Sequence, residues 1–253
     1  MRIITLTPDA ALGRLRPHIG ADTLVDVATL DQLQSAIRGG GIRWVVLDPM
    51  ALSTPGFQTA VDSIANAGAR VVFYTMLARF DYSRLLQSYD RLVPELIFRE
   101  TDDDWILVRA VLRSTDGSVP AQLLRSTLSV VQRLPEPVRG RTALLFAWAS
   151  IPGTLSEFCE SIGRTPASIR GIFRRVGLRS PTDVLSCARL SRVFERLSDS
   201  AVQLNEVAVT GGFGTQRTLE RRLKQAAGLA PRAVARQCTR AEYANRLSHW
   251  LLR

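Results

Sequence analysis

Hydrophobic positions in the first 118 residues alternate between short apolar runs and longer stretches with helical spacing. The short runs are rich in β-branched residues, as in strands buried on both faces, and they are Ile3–Leu6, Leu24–Ala28, Trp44–Leu47, Val71–Tyr74 and Leu96–Phe98. The helically spaced stretches are Ala11–Ile19, Leu30–Ile37, Phe57–Ala67, Tyr82–Tyr89 and Asp104–Leu112. Five strand–helix pairs predict an α/β domain over residues 1–116, with a parallel sheet that carries helices on both faces.

The strand-like runs stop after Ser114–Ser118, which we expect to be a hinge. Pro120–Leu134 predicts a connecting helix, so that residues 117–137 would join the two halves of the chain. Residues 138–253 then form an all-α domain that begins with a helix over Arg139–Trp148. Within Ala241–Arg253 the apolar residues again have helical spacing, and we expect this tail to pack against the domain before it.

A first pair of short helices is predicted downstream of Thr154. Thr154 and Glu157 have the spacing of a capping box, which satisfies free amides at a helix start. The helix that follows buries one apolar side, formed by Leu155, Phe158, Cys159 and Ile162. Gly163 ends it, Thr165 and Pro166 start another helix, and the same spacing returns at Ile169, Ile172, Phe173 and Val176. Two short helices around a tight turn with glycine predict a helix-turn-helix unit.

The same pattern occurs a second time. After Ser180-Pro181, a helix with Leu190, Val193, Phe194 and Leu197 on one side runs to Ser198. A short helix with Leu204, Val207 and Ala208 follows, and Gly211-Gly212 ends it. The next helix turns Leu219 and Leu223 inward and leaves Gln216, Arg217 and Arg221 outside. Gln suits adenine and Arg suits guanine in the major groove, so this face predicts contact with base edges.

Charge is divided unevenly between the two halves. Residues 1–118 hold 12 Arg against 14 Asp and Glu, whereas the remainder holds 21 basic against 9 acidic residues, a net of +12. A basic half joined to a near-neutral half indicates an anionic partner for one part of the chain. DNA and a membrane surface both fit that charge, and the arginines could instead simply solvate an all-α domain, so the decision rests on how they are arranged.

Composition excludes several other classes of protein. No apolar run reaches the length of a membrane span, and the start, MRIITLTPDA, lacks the features of a signal peptide. Cys159, Cys187 and Cys238 are far apart and form no CxxC pair, and only two histidines are present. We therefore expect a cytoplasmic protein that is not an enzyme and needs no cofactor or metal.

Residues from about 139 to 236 resemble the DNA-binding domain of the AraC/XylS family of transcription regulators. The strongest likeness is LNEVAVTGGFGTQRTLERRLKQAAGLAP, residues 204–231, with IFRRVGLRSP, residues 172–181, matching the first unit. The resemblance implies two helix-turn-helix units on one linking helix, with recognition helices in successive major grooves of double-stranded DNA. The DNA-binding residues it implies are Thr165, Ala167, Ser168, Arg170, Gly171, Arg174, Arg175, Thr215, Gln216, Arg217, Thr218, Arg221 and Arg222.

The two units differ in the side chains they would present. The base-facing residues implied for the first are Ala167, Arg170 and Gly171, two of which are small where longer side chains are usual. Those implied for the second are Gln216, Arg217 and Arg221. We therefore expect the second unit to carry most of the sequence reading, while Arg174 and Arg175 meet phosphates.

The first half resembles the receiver domain of two-component response regulators. Asp48 closes the third strand, and Thr75, at the end of the fourth, matches the receiver's hydroxyl position. The acidic pair expected after the first strand reads Thr7-Pro8 here, with only Asp9 behind it, and Arg99 replaces the expected lysine. Without that pair a phosphoryl-transfer site lacks Mg²⁺ ligands, so we expect Asp48 to act as a strand-end cap in an unphosphorylated receiver-like domain used for dimerisation or signal input.

These patterns together predict a bacterial-type, sequence-specific transcription regulator. Its expected partners are double-stranded DNA, RNA polymerase and a second copy of the chain. One alternative is a response regulator that is controlled by phosphorylation, with Asp48 as phosphoacceptor. Another is a protein-interaction adaptor that has kept the helical scaffold and lost DNA reading, for which the small residues Ala167 and Gly171 are the only support.

Overall fold

The computed structural model describes residues 2–7, 13, 15–19, 23–100, 102, 107–108, 110–111, 117–147, 153–199 and 201–252. The chain forms two compact units, Met1–Thr115 and Asp116–Arg253. Among the helices within these described stretches, none is long and apolar enough to cross a membrane.

A parallel sheet forms the centre of the first unit. Its strands are β1 (Arg2–Leu6), β2 (Leu24–Asp26), β3 (Ile42–Leu47), β4 (Arg70–Thr75) and β5 (Glu95–Phe98), in the order β2-β1-β3-β4-β5. All neighbouring pairs are parallel, with Ile4 opposite Val45, Val46 opposite Val72 and Phe73 opposite Leu96. The predicted α/β unit with a parallel sheet is therefore confirmed.

Both faces of this sheet are covered, which explains why its strands are apolar at successive positions. On one face, Trp44, Val46, Val72 and Tyr74 belong to a buried cluster with Leu15, Ile19, Leu107 and Val111. The predicted helices Ala11–Ile19 and Asp104–Leu112 lie largely outside the described residues. The described residues of this unit contain the α-helices α1 (Leu30–Arg38), α2 (Thr54–Asn66) and α3 (Tyr82–Ser88).

Helix α2 starts three residues before the predicted stretch, for a local reason. The Ser53 side chain caps its first turn by accepting from the Gly56 amide, and Pro55 stands in the first turn, where a missing N–H costs nothing. The helix packs against β4, and the Phe57 and Phe73 ring centroids are 5.7 Å apart. Its predicted apolar stretch is therefore the buried part of a longer helix.

The regular elements described in the second unit are α-helices, joined by short turns. Its helices are α4 (Val119–Val131), α5 (Val138–Ala147), α6 (Leu155–Glu160), α7 (Pro166–Val176), α8 (Pro181–Ser198), α9 (Leu204–Thr210), α10 (Gln216–Ala227), α11 (Pro231–Gln237) and α12 (Arg240–Leu251). The predicted helical second half is confirmed, and the C-terminal tail packs on the preceding helices as expected, since α12 contacts α4, α8 and α10.

Helix α8 is the centre of this unit. It packs against every other helix that the structure describes here. The sequence predicts one buried side, formed by Leu190, Val193, Phe194 and Leu197, but burial extends along the whole helix and includes Val184, Cys187 and Ser191. A helix buried on several sides is what a central position requires.

Helix α4 lies within residues 117–137, the stretch expected to connect the two halves. It packs against α5, α8 and α12. Its apolar side chains Leu123, Leu124 and Val131 are buried in these contacts. The connecting segment is thus an integral part of the helical unit.

Candidate nucleic-acid interface

Helices α6 and α7 form a compact pair, here called the first pair. The Thr154 hydroxyl accepts from the Glu157 amide at 3.2 Å, and the Glu157 carboxylate accepts from the Thr154 amide at 2.7 Å, so the predicted capping box is present. The turn between the helices contains Gly163 at φ 60°, a left-handed conformation that favours glycine. The rings of Phe158 and Phe173 pack against each other between the two helices, with their centroids 6.4 Å apart.

The outer side of α7 is basic. Ile169, Ile172 and Phe173 are buried, whereas Ala167, Arg170, Arg174 and Arg175 are exposed and Ser168 and Gly171 are half-buried. The Thr165 hydroxyl caps the start of α7 by accepting from the Ser168 amide at 3.2 Å, so it already has a hydrogen-bond partner. Arg170 and Arg174 stand one turn apart, so their guanidinium groups project from one side of the helix.

Helices α9 and α10 form the second pair. The turn between them lies close against α8, since a Cβ at Gly211 would be only 2.6 Å from a methyl group of Val193 on that helix. Thr215 caps α10 by accepting from the Thr218 amide at 3.2 Å, and Leu219 and Leu223 are buried as predicted. The second pair therefore contacts α8 through the turn between α9 and α10.

The outer side of α10 presents Gln216, Arg217 and Arg221, all exposed. The side-chain amide nitrogen of Gln216 donates to the Glu220 carboxylate at 2.7 Å, so this nitrogen already has a partner within the helix. Arg217 and Arg221 stand one turn apart, and neither guanidinium has a hydrogen bond or ion pair with a described residue.

Arg222 differs from its neighbour Arg221. Its guanidinium lies 3.1 Å from the Asp183 carboxylate on α8, and both side chains are 21% exposed. Asp183 also accepts from Ser180 at the start of α8. The arrangement ties α10 to the central helix, so Arg222, which is predicted as a DNA contact, also makes an ion pair within the unit.

The arginines of the helical unit fall into two groups. One group binds backbone carbonyls or carboxylates within the unit, and it comprises Arg133, Arg139, Arg179, Arg189, Arg192, Arg196, Arg222, Arg232, Arg240 and Arg246. The other group makes no such contact with any described residue, and it includes Arg170, Arg174, Arg175, Arg217 and Arg221. The five predicted contact arginines other than Arg222 therefore belong to the group that is free to meet an anion.

Arg189 on α8 connects the two pairs. Its guanidinium donates to the Gly153 carbonyl ahead of α6, at 3.2 Å, and to the Gly212 carbonyl between α9 and α10, at 2.8 Å. Burial lowers the pKa of this guanidinium from its usual value, and the Glu157 carboxylate opposes the shift. A charged side chain thus reaches the entry of the first pair and the turn of the second.

Two further cations border the predicted faces but are not among the residues predicted from the sequence. Arg164 is exposed directly before the Thr165 cap, and Lys224 is exposed one turn beyond Arg221. The signal was available for both: cations beside a helix start, or spaced three and four residues apart on a polar face, are typical of phosphate contacts.

A second polar site lies in the first unit, at the carboxyl ends of β3, β4 and β5. Asp48 Oδ1 accepts from the Thr75 hydroxyl at 2.9 Å and from the Met50 amide at 3.0 Å, so the carboxylate caps the short turn behind β3. Its other oxygen, Oδ2, accepts from the Arg99 guanidinium at 2.5 Å. Both carboxylate oxygens are therefore engaged, in an open pocket of about 440 Å³ that Met76 and Arg79 also line.

This pocket holds two of the groups that the receiver resemblance implies, together with Arg99. Thr7 is described, whereas Pro8 and Asp9 lie outside the described residues. Within the described part of the chain, no three His, Cys, Asp or Glu side chains cluster closely enough to share a metal ion. What the geometry shows is a partly buried ion pair that, with the Thr75 hydroxyl, joins the ends of three strands.

Comparison of the chain with family models, with curated proteins and with solved structures finds no match.

The Asp183–Arg222 contact can be tested by a double-mutant cycle. We expect Arg222→Ala and Asp183→Asn each to lower the free energy of unfolding, with a coupling of about 0.5–1 kcal/mol because the pair is only partly shielded from water. Urea denaturation followed by circular dichroism measures it. Arg221→Ala is the matched control and should change stability by less than about 0.5 kcal/mol. A coupling of zero would show that Arg222 is not held by Asp183.

Proposed function

We propose that the protein is a sequence-specific, double-stranded DNA-binding transcription regulator. The two pairs, α6–α7 and α9–α10, act as helix-turn-helix units, with α7 and α10 as recognition helices. One observation carries this proposal: each of these helices buries one apolar side and turns outward arginines that no described residue binds, Arg170, Arg174 and Arg175 on α7 and Arg217 and Arg221 on α10.

The separation of the arginines into two groups supports DNA over a diffuse anionic surface. Ten arginines of the unit stabilise its own fold, while five of the others stand on two short helices that the sequence pattern marks as recognition helices. Two such helices on one linking helix can enter successive major grooves, which are roughly 34 Å apart along one face of DNA. A membrane surface would need no such ordered pair of faces.

The two recognition helices have different tasks in this proposal. Helix α10 reads bases through Arg217 and Arg221, since an arginine can donate two hydrogen bonds to one guanine. Helix α7 offers Arg170 between the small residues Ala167 and Gly171, while Arg174 and Arg175 bind phosphates. Gln216 can contact adenine only after it leaves Glu220, so it contributes less than its sequence position predicts.

The first unit serves signal input or dimerisation as a receiver-like domain that is not phosphorylated. The contact that supports this is the Arg99–Asp48 ion pair, in which one carboxylate oxygen is already bound by a guanidinium. RNA polymerase and a second copy of the chain complete the proposed partners, because a regulator bound at a promoter acts by recruiting or blocking the polymerase.

DNA binding is tested by selecting bound sequences from a random library and measuring affinity against salt. Phosphate contacts release counterions, so affinity should fall steeply and linearly on logarithmic axes as salt rises. The selected site should withstand an excess of random competitor DNA, typically by about a thousandfold or more in affinity. If no sequence is enriched above background, the regulator proposal fails, and the adaptor alternative gains support.

Base reading by α10 is tested by Arg217→Ala and Arg221→Ala. Each should cost about 1–3 kcal/mol on the selected site and relax the preference for one base pair. Arg125→Ala is the matched control, because Arg125 is exposed on α4, has no partner among the described residues and removes the same charge. Equal losses on selected and random DNA would assign Arg217 and Arg221 to phosphates instead of bases.

The state of Asp48 is tested by incubating the protein with Mg²⁺ and a small acyl phosphate, followed by intact-mass measurement. No phosphoryl group should be gained, because Arg99 and Thr75 already bind the carboxylate. A gain that disappears in Asp48→Asn would establish the phosphorylation-controlled alternative.

A further inference from the structure

Two helical segments outside residues 139–236 also reach the predicted recognition helices, one of them through the turn that follows it. They are α4, which precedes that segment, and α12, which follows it. The two pack along each other, and the Ser126 hydroxyl donates to the Asn245 amide oxygen across the contact at 3.1 Å. These two helices and the turn after α4 that carries Arg133 are together called the brace below.

The brace holds the C-terminal end of α7. Just beyond α4, the Arg133 guanidinium donates to the carbonyl of Val176, the last residue of α7, at 2.9 Å. The far end of α12 reaches the residues that follow α7, where the Arg179 amide donates to the Leu251 carbonyl at 3.1 Å. The Arg179 guanidinium also lies over the Trp250 ring, 5.2 Å from its centroid. Both members of the brace therefore contact this end of the first pair.

The brace holds the C-terminal end of α10 in the same manner. The Arg246 guanidinium on α12 donates to the carbonyl of Ala227, the last residue of α10, at 3.2 Å. Helix α12 also packs directly against α10 and buries Tyr243, Leu247 and Leu251. At the C-terminal end of each predicted recognition helix, a guanidinium from the brace thus binds the carbonyl of the last residue. The last carbonyls of a helix lack partners within the helix, and the helix dipole favours a cation there.

We propose that the brace sets the placement of α7 relative to α10 and so determines which spacing between the two DNA half-sites the protein accepts. Arg133 and Arg246 are its positioning residues and do not themselves contact DNA. This inference rests on the proposed function, because half-site spacing has meaning only if both helices read DNA. The spacing that a two-helix reader accepts follows from the geometry between its recognition helices.

The test compares the Arg133→Ala/Arg246→Ala double variant with Arg125→Ala/Arg236→Ala, which removes the same charge from two exposed arginines without partners among the described residues. The probes are the selected site, the same site with one base pair inserted or deleted between its halves, and random DNA. The control should prefer the selected spacing at least tenfold, as the parent does. The brace variant should show less than threefold preference while binding random DNA within twofold of the control. A preserved preference, or an equal loss on every probe, overturns the proposal.

A measurement without DNA separates this inference from the proposed function. Spin labels at Arg170→Cys and Arg217→Cys, in a Cys238→Ser background, report the distance between α7 and α10. In the brace variant the distance distribution should broaden or shift relative to the control, with unchanged circular dichroism, and Arg133→Lys/Arg246→Lys should restore it in part because lysine keeps one donor. Identical distributions overturn the brace even if DNA binding is established. A changed distribution in a protein that selects no DNA refutes the proposed function, and with it the role in half-site spacing, but supports the placement of α7 and α10 by the brace.

Discussion

Burial of the central helix α8 is the constraint on which the helical unit depends. Every other described helix of the unit packs on it, and the polar side chains it buries must find partners within reach. Ser186 and Ser191 donate to carbonyls of their own helix, and the Cys187 thiol lies 3.7 Å from the Leu247 carbonyl on α12. Small side chains at these positions allow close approach of several neighbours, so α7 and α10 both pack on the same helix.

Arginine has two distinct functions in this unit, and composition alone cannot separate them. A guanidinium with five donors can bind backbone carbonyls at a loop, as Arg232 binds those of Asp199 and Val202, and still contribute its full charge to the surrounding field. The net charge of the half therefore overstates the number of side chains available to a ligand. What marks the candidate interface is the set of arginines that the fold leaves unused.

Local signals could be predicted from the sequence, whereas contacts between distant residues could not. The capping box at Thr154 and the buried sides of α7 and α10 follow from patterns within a few residues, and the structure bears them out. The partner of Arg222 is Asp183, 39 positions away, and that of Arg99 is Asp48, 51 positions away. Neither pairing leaves a local pattern, since it depends on which helices and strands become neighbours. The packing of α4 on α12 could not be predicted from the sequence for the same reason.

The bridge made by Arg189 has a consequence for how the helical unit opens. Its guanidinium is shared between the loop ahead of the first pair and the turn of the second, through the carbonyls of Gly153 and Gly212. Local unfolding of either pair removes one carbonyl partner from this half-buried guanidinium, and the lost hydrogen bond adds to the cost of opening. The cost of opening one pair is therefore carried in part by the other, which joins them into one cooperative folding unit instead of two independent modules.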